Sequence, residues 1–363
     1  MMLDRLLIEG HGERFYRLGN ADGKTWIMPA KGMRTAMGLY QPSGAKGKLL
    51  KSLFPLLHVL PPVRKAVHAQ TLHYALSDEL KALLQTVFNT GNPDFAIFCG
   101  TPCVHQKTTM QLSSGGKILG YSKFSDSERI AELFRSEAAI LDTLHAKGLS
   151  AVPECLFCGT LSDGTYVFVQ STVKSSRSKI VHEWCSLHDG FLAEMYCCTH
   201  RDILFDESAF CLSLRNLQAH IDWLPENVDR SFVSALLEKV IAGNTGRVLD
   251  YSAFHADFTP WNMFVEQGKL FVFDWEYAAM TYPPQLDRYH FFNQTAVFEK
   301  HWGADEIIAY MQTPAASWMD GKLYSMYLLD MFSRYTVREN GRVKGDIAVQ
   351  MQVWFDLLKY LNK

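Results

Sequence analysis

No uninterrupted apolar run in the 363 residues reaches membrane-spanning length; the longest candidate, Leu53 to Val63, is broken by prolines. An excess of one charge is missing as well. Thirty-six Lys and Arg stand against 38 Asp and Glu, a net charge of −2, and both signs are spread along the chain. Neither nucleic acid nor an anionic membrane is therefore the expected partner. No secretory apolar segment follows Met1-Met2-Leu3-Asp4-Arg5. Eight cysteines without a regular framework, in a chain this long, read as reduced thiols in a cytoplasmic setting. Cys155-x-x-Cys158 with Cys197, Cys198 and His200 offers zinc-ligand types, but 153–159 reads as a strand. Positions three apart on a strand point to opposite faces, so thiols rather than a zinc site are expected. Internal repeats and low-complexity segments are also absent. What remains is a globular composition, 48% hydrophobic, long enough for two or three domains with their own cores.

The densest chemistry lies between Phe254 and Tyr277, FHADFTPWNMFVEQGKLFVFDWEY. His255, Asp257 and Asn262 stand in the spacing H-x-D-x-x-x-x-N, and Asp274 follows. Met263 to Val265 and Leu270 to Phe273 are β-rich runs around Gln267-Gly268, the signature of a tight hairpin. Pairing Glu266 with Lys269 across that turn sets Asn262 opposite Phe273. Asn262 and Asp274 then meet at the open end of the hairpin, with Asp257 on the loop leading in. Mg²⁺ takes hard oxygen ligands from one or two side chains and the rest from phosphates and water, and a separate carboxylate can orient an attacking hydroxyl. Three convergent oxygen-bearing side chains suit that task.

In these residues the chain resembles the aminoglycoside phosphotransferase and choline kinase-like families, whose catalytic loop reads H-G-D-x-x-x-x-N and whose metal segment reads I-D-W-E or D-F-G. The match here is H-A-D-F-T-P-W-N and F-D-W-E, with Ala256 in the place of the usual glycine. The resemblance implies an α+β, protein-kinase-like fold of two lobes, a small antiparallel sheet followed by a mainly helical lobe. It makes Asp257 the catalytic base, with His255 bracing its loop, and Asn262 and Asp274 the metal ligands. The implied cofactors are ATP or GTP and Mg²⁺.

Taken in order, residues 1–90 lie outside the resemblance and read as an N-terminal extension. They carry short β-like runs at Leu6–Ile8 and Trp26–Met28 and a basic region with Lys31, Arg34, Lys46, Lys48 and Lys51, expected to be a solvated surface. An amphipathic helix follows over Ser77–Phe88, with Leu80, Leu83, Leu84 and Val87 on one face. Asn89-Thr90-Gly91-Asn92-Pro93 marks a boundary. Residues 91–173 form the nucleotide-binding lobe, with strands at Phe95–Gly100, His105–Leu112 and Lys117–Phe124 and a capping box at Ser125–Glu128. Glu137 falls on the apolar stripe of the helix that follows, and Lys123 is the partner such a buried carboxylate needs. By resemblance that pair meets the α- and β-phosphates. The phosphate loop departs from the pattern: Gly100-Thr101-Pro102-Cys103 holds one glycine, and Pro102 offers no amide. By resemblance alone, Gln170 to Val173, including Thr172, contact the adenine edge.

Residues 174–363 read as a helical lobe, with helices at His182–Cys198, Ser208–His220, Ser231–Ala242, Tyr324–Arg334 and Ile347–Leu361. The acceptor implied is a hydroxyl on a small molecule: a sugar, amino alcohol or aminoglycoside-like compound. Asp274 is followed by Trp275–Met280 and then Tyr282-Pro283-Pro284, without the long segment ending in A-P-E that shelves a peptide in protein kinases. Glu276 and Asp287 are candidates for acceptor contact, or alternatively for bracing the loop. The rival reading is a catalytically silent nucleotide-binding or scaffolding protein, which the degenerate phosphate loop allows.

Overall fold

The computed structural model describes residues 2–42, 44–101 and 106–363. The chain forms two compact units. The first comprises Met1–His145, Ser150–Lys179 and Val265–Phe271; the second comprises Ala146–Leu149, Ile180–Phe264 and Val272–Lys363.

The first unit is built on eight antiparallel strands: β1 (Leu7–Gly19), β2 (Thr25–Pro29), β3 (Gln70–Leu76), β4 (Asp94–Cys99), β5 (Thr108–Ser114), β6 (Lys117–Ser125), β7 (Cys155–Thr160) and β8 (Tyr166–Ser171). Their order across the sheet is β3-β1-β2-β4-β5-β6-β8-β7. The first ninety residues thus supply three strands to the sheet that the resemblance begins at β4, and a boundary at residue 91 falls inside one compact unit. The physical reason lies in strand periodicity. Phe15, Ile27, Phe95 and Ile97 pack into one core with Leu80 and Leu84 of the helix Asp78–Phe88. Their neighbours Tyr16, Trp26, Met28 and Ala96 pack into a second core with Met33, Met37 and Phe54. Adjacent strand residues point to opposite faces, so runs apolar at successive positions are those of a sheet covered on both sides.

Two glycines are required by close approach. Gly12 sits at the β1 irregularity with φ +87, and a Cβ there would lie 2.3 Å from the Tyr74 carbonyl oxygen. On β6, a Cβ at Gly120 would lie 2.3 Å from the Gln170 carbonyl oxygen and 2.7 Å from the Phe88 ring. The helix Glu128–Ala146 follows β6 and buries Ile130, Phe134, Glu137, Leu141 and Leu144. The expected capping box takes another form, because the Glu128 carboxylate accepts from Arg135 and from the Tyr166 hydroxyl. Cys155 and Cys158, both free thiols, lie on β7 opposite Gln170 and Phe168.

The second unit is mainly helical, with helices at Ser186–Thr199, Ala209–Ala219, Arg230–Asn244, Leu286–Gln294, Ala304–Met311, Gly321–Arg338 and Asp346–Leu361. Ser208, Asp229 and Asp320 cap three of them with side-chain oxygens. The apolar faces of the helices from Ala209–Ala219 onward share one core with Tyr251, Phe254 and Tyr282. The strands β9 (Arg201–Leu204), β10 (Val248–Phe254) and β13 (Ala279–Tyr282) form a sheet in the order β13-β10-β9. The remaining strands, β11 (Met263–Glu266) and β12 (Lys269–Val272), form the hairpin, whose turn residues Gln267 and Gly268 have φ of 50° and 79°. Two successive positive φ values are those of the type I′ turn that matches strand twist.

Gly120→Ala should destabilise the chain by about 1–3 kcal/mol, the usual range for overpacking, with the shift read as a lower urea midpoint at unchanged slope. An unchanged midpoint would mean that β6 and β8 separate at no cost.

Candidate active site

β10 carries the chain into the loop at Ala256, where φ is +69. A side chain there pays for a left-handed conformation that glycine adopts freely, so the Ala-for-Gly departure puts strain at the entry to the loop. Two side chains hold that strained peptide. Asp287 accepts from the His255 and Ala256 backbone N–H groups at 2.9 and 3.1 Å, and Arg334 donates to the Ala256 carbonyl at 2.6 Å. Arg334 is itself ion-paired with the fully buried Asp330 at 2.8 Å.

His255 is completely buried against Trp275, ring centroids 4.5 Å apart. Burial pushes its pKa down to about 4, so the ring is neutral at physiological pH. Nδ1 accepts from the Asp257 N–H at 3.2 Å, which leaves Nε2–H to donate to the Phe273 carbonyl at 3.0 Å. The Phe273 N–H donates in turn to the Asn262 carbonyl at 3.0 Å. Asn262 therefore stands opposite Phe273, as counting back from the turn requires, and Asp274 follows at once with φ +71. A left-handed Asp is tolerated because its short polar side chain can bond locally.

Asp257, like Asp274, is partly exposed; its side chain keeps 32% of its accessible surface. Oδ2 accepts from Asn262 Nδ2 at 2.8 Å, and Oδ1 accepts from His290 Nε2 at 3.2 Å. The same Asn262 amide also donates to the Asp257 carbonyl at 3.0 Å. With its nitrogen committed, Asn262 has Oδ1 free to face a cation. An amide oxygen and the Asp274 carboxylate are hard donors of the kind Mg²⁺ takes, so the residues fit that ion. His290 is 1% exposed and kept neutral by burial, and its Nδ1 accepts from the Tyr327 hydroxyl at 3.1 Å.

In the first unit Lys123 and Glu137 form a buried ion pair at 2.7 Å, and the ammonium lies 5.5 Å from the centre of the Phe168 ring. The helix carboxylate on the apolar stripe has the partner that its burial demands.

No protein-family model and no curated protein matches this chain. Solved structures do. A thermostable mutant of aminoglycoside phosphotransferase APH(4)-Ia in its apo form superposes with a TM-score of 0.52 at 14% identity, covering 77% of this chain and 98% of that one. The chain has the fold of an aminoglycoside phosphotransferase. A second structure of a thermostable APH(4)-Ia mutant, in ternary complex with AMP-PNP and hygromycin B, gives 0.50 at 16% identity over 78% of this chain and 99% of that one. The expected α+β architecture, an antiparallel sheet followed by a mainly helical part, is therefore present.

Within this phosphotransferase fold the expected site residues take different places. His255, Asp257, Asn262 and Asp274 come together around the Phe273 peptide. His255, read among the catalytic residues, has both ring nitrogens on backbone groups and positions the loop. Asp287, offered as an acceptor contact, is 2% exposed and has each carboxylate oxygen on a loop N–H, so it braces the loop. Glu276 is buried as well. Gln170, read at the adenine edge, lies inside β8 between Tyr121 of β6 and Cys155 of β7, so its backbone belongs to the sheet; the chain leaves the sheet at Thr172. The Gly100 carbonyl accepts from Gln106, while Pro102 and Cys103 of the phosphate loop, and His105 of the strand drawn after it, lie outside the described residues.

His290, Tyr327 and Arg334 escaped the sequence reading. A signal was available: His290 is three residues beyond Asp287 on one helix, and Tyr327, Asp330 and Arg334 form a polar i, i+3, i+7 stripe on a buried one. A cavity of about 520 Å³ opens beside the loop in the second unit, between β10, Trp184, Tyr196 and Pro283; Phe254 and Asp287 line it and Asp257 does not.

Burial raises the Asp287 pKa from 3.8 to about 7 against the pull of its two N–H donors and Arg334. A carboxyl raised in the folded state adds stability below its unfolded value, and that stability is lost as pH rises through the folded one. The unfolding free energy of the native chain should therefore fall relative to Asp287→Asn between about pH 4 and about pH 7, by up to about 1.4 kcal/mol per pH unit. A gap that does not vary with pH would show that Asp287 is ionised throughout.

Proposed function

We propose that the chain is an ATP- and Mg²⁺-dependent phosphotransferase that moves the γ-phosphoryl group to a hydroxyl of a small molecule, such as a sugar, an amino alcohol or an aminoglycoside-like compound. The observation that carries this reading is the state of Asp257. It is a partly exposed carboxylate set against buried His255, Asn262 and His290, and hydrogen bonds from Asn262 and His290 fix both oxygens. Each oxygen has a second lone pair, so the carboxylate can still accept a proton.

In this reading the acceptor hydroxyl oxygen forms its bond to the γ-phosphorus, the bond from that phosphorus to the bridging oxygen breaks, and the hydroxyl proton passes to Asp257. Asn262 and Asp274 would hold the Mg²⁺, which supplies neutralisation of phosphate charge. Lys123, oriented by Glu137, would meet the α- and β-phosphates, and Thr172 with the backbone beyond it would meet the nucleotide base. The neighbour solved in ternary complex with AMP-PNP and hygromycin B supports a nucleotide and a small molecule held together. The short strand β13, which pairs with β10 directly after the Asp274 segment, supports an acceptor smaller than a peptide.

Asp257→Asn should lower single-turnover transfer by about 10²–10⁴-fold, the usual contribution of a positioned base, while the nucleotide Kd changes little. The measurement uses labelled nucleotide against a panel of sugars, amino alcohols and aminoglycosides beside generic proteins. Retained transfer in the variant removes Asp257 from its role, and labelling of proteins alone overturns the acceptor class.

Asp274→Ala should weaken nucleotide binding by about tenfold or more in Mg²⁺ and far less in EDTA, since only the metal-dependent part of the affinity is lost. Equal losses in the two buffers would take Asp274 out of the metal site.

A further inference from the structure

The helix Ala45–Leu57 and the turn after it present an unusual surface. Phe54 and His58 face inward at 1% and 9% exposure, and Phe54 packs on Tyr16. The opposite side carries Leu49, Leu53, Leu56, Leu57, Val59 and Leu60, all exposed, with Leu49 and Leu56 at 61% and Val59 at 63%. Leu49, Leu53 and Leu56 are spaced four and three residues apart, which puts them on one stripe of the helix. Six of the sixteen exposed large apolar side chains of the described residues fall within this one short stretch. Such a continuous apolar patch on a soluble unit marks a contact surface.

The charge around the patch identifies the occupant. No Asp or Glu stands between Asp22 and Asp78, whereas eight Lys and Arg do. The near-neutral balance of the whole chain conceals this asymmetry. Lys46 and Lys48 are exposed on the same helix, and Lys65 is exposed just beyond the turn. An interface with a soluble protein is depleted of lysine. A surface for nucleic acid presents stacking aromatics, and here the aromatic side chain of the helix, Phe54, is buried. Leucines flanked by lysines are the composition of a helix that lies in the plane of an anionic bilayer, apolar face down. At 13 residues the helix is about 20 Å long, too short to cross the roughly 30 Å of a hydrocarbon core, and no helix among the described residues is long and apolar enough to do so.

We propose that the exposed face of Ala45–Leu57, together with Val59 and Leu60, docks the chain on an anionic phospholipid surface. This inference does not depend on the phosphotransferase reading.

The test is co-sedimentation of the full chain with vesicles of phosphatidylcholine alone or mixed with phosphatidylglycerol. Binding to the mixed vesicles should be about tenfold or more stronger than to the neutral ones and should fall with added salt. The triple variant Leu49→Ser, Leu53→Ser, Leu56→Ser should lose that binding while its far-UV circular dichroism is unchanged. Lys46→Glu with Lys48→Glu leaves the apolar stripe in place and should weaken binding by about tenfold or more, so the inference stays testable if the triple variant misfolds. Wild-type protein that ignores anionic vesicles, or variants that bind them as well as wild type, would overturn the proposal. So would a concentration-dependent dimer that the triple variant abolishes in the absence of vesicle binding, because the face would then cover a second copy of the chain.

Discussion

The neutral imidazole of His255 is the interaction on which the site depends. A protonated ring would have no acceptor for the Asp257 N–H, and a ring open to water would make both hydrogen bonds weakly. Burial against Trp275 and Phe258 removes the proton and leaves one tautomer able to satisfy its surroundings, accepting on Nδ1 and donating from Nε2. One ring thereby joins the loop that carries Asp257 to the strand end that carries Asp274. The Phe273 peptide is held from both sides, by His255 and by Asn262, and the Asn262 amide bonds the Asp257 carboxylate directly, so backbone contacts and one side-chain bond together fix the cluster.

Around that ring lies a second layer that is largely buried. Asp287 and Arg334 grip the strained Ala256 peptide through its nitrogen and oxygen, and His290 reaches the Asp257 carboxylate with Tyr327 behind it. These groups come from two helices whose remaining faces are core, so the loop inherits the rigidity of the helical packing. Such support is what allows a carboxylate to be held in one orientation and yet stay partly exposed.

The first unit follows the same logic with different materials. Three strands from the N-terminal ninety residues widen the sheet, and both faces of β1, β2 and β4 are covered. One cover is the Asp78–Phe88 helix. The other is the basic, leucine-bearing segment whose inner side supplies Phe54, so the same segment completes a core and presents an apolar surface to solvent.

Local features were legible because short-range physics decides them. The type I′ hairpin at Gln267-Gly268, the pairing of Asn262 with Phe273, the helix that buries Glu137 and the amphipathic stripe of Leu80 and Leu84 all follow from turn chemistry and periodicity. The Lys123–Glu137 pair followed as well, since a carboxylate on an apolar stripe must be neutralised. The tertiary structure decided what depends on segments far apart in the chain. That the first ninety residues join the sheet, that Asp287 turns to the loop backbone, and that His290 and Tyr327 stand behind Asp257 are outcomes of packing between elements, and such contacts leave no periodic trace in the segments that make them. A carboxylate reads the same in a sequence whether it meets water, a ligand or two buried amides; only the fold chooses among these, by removing the water.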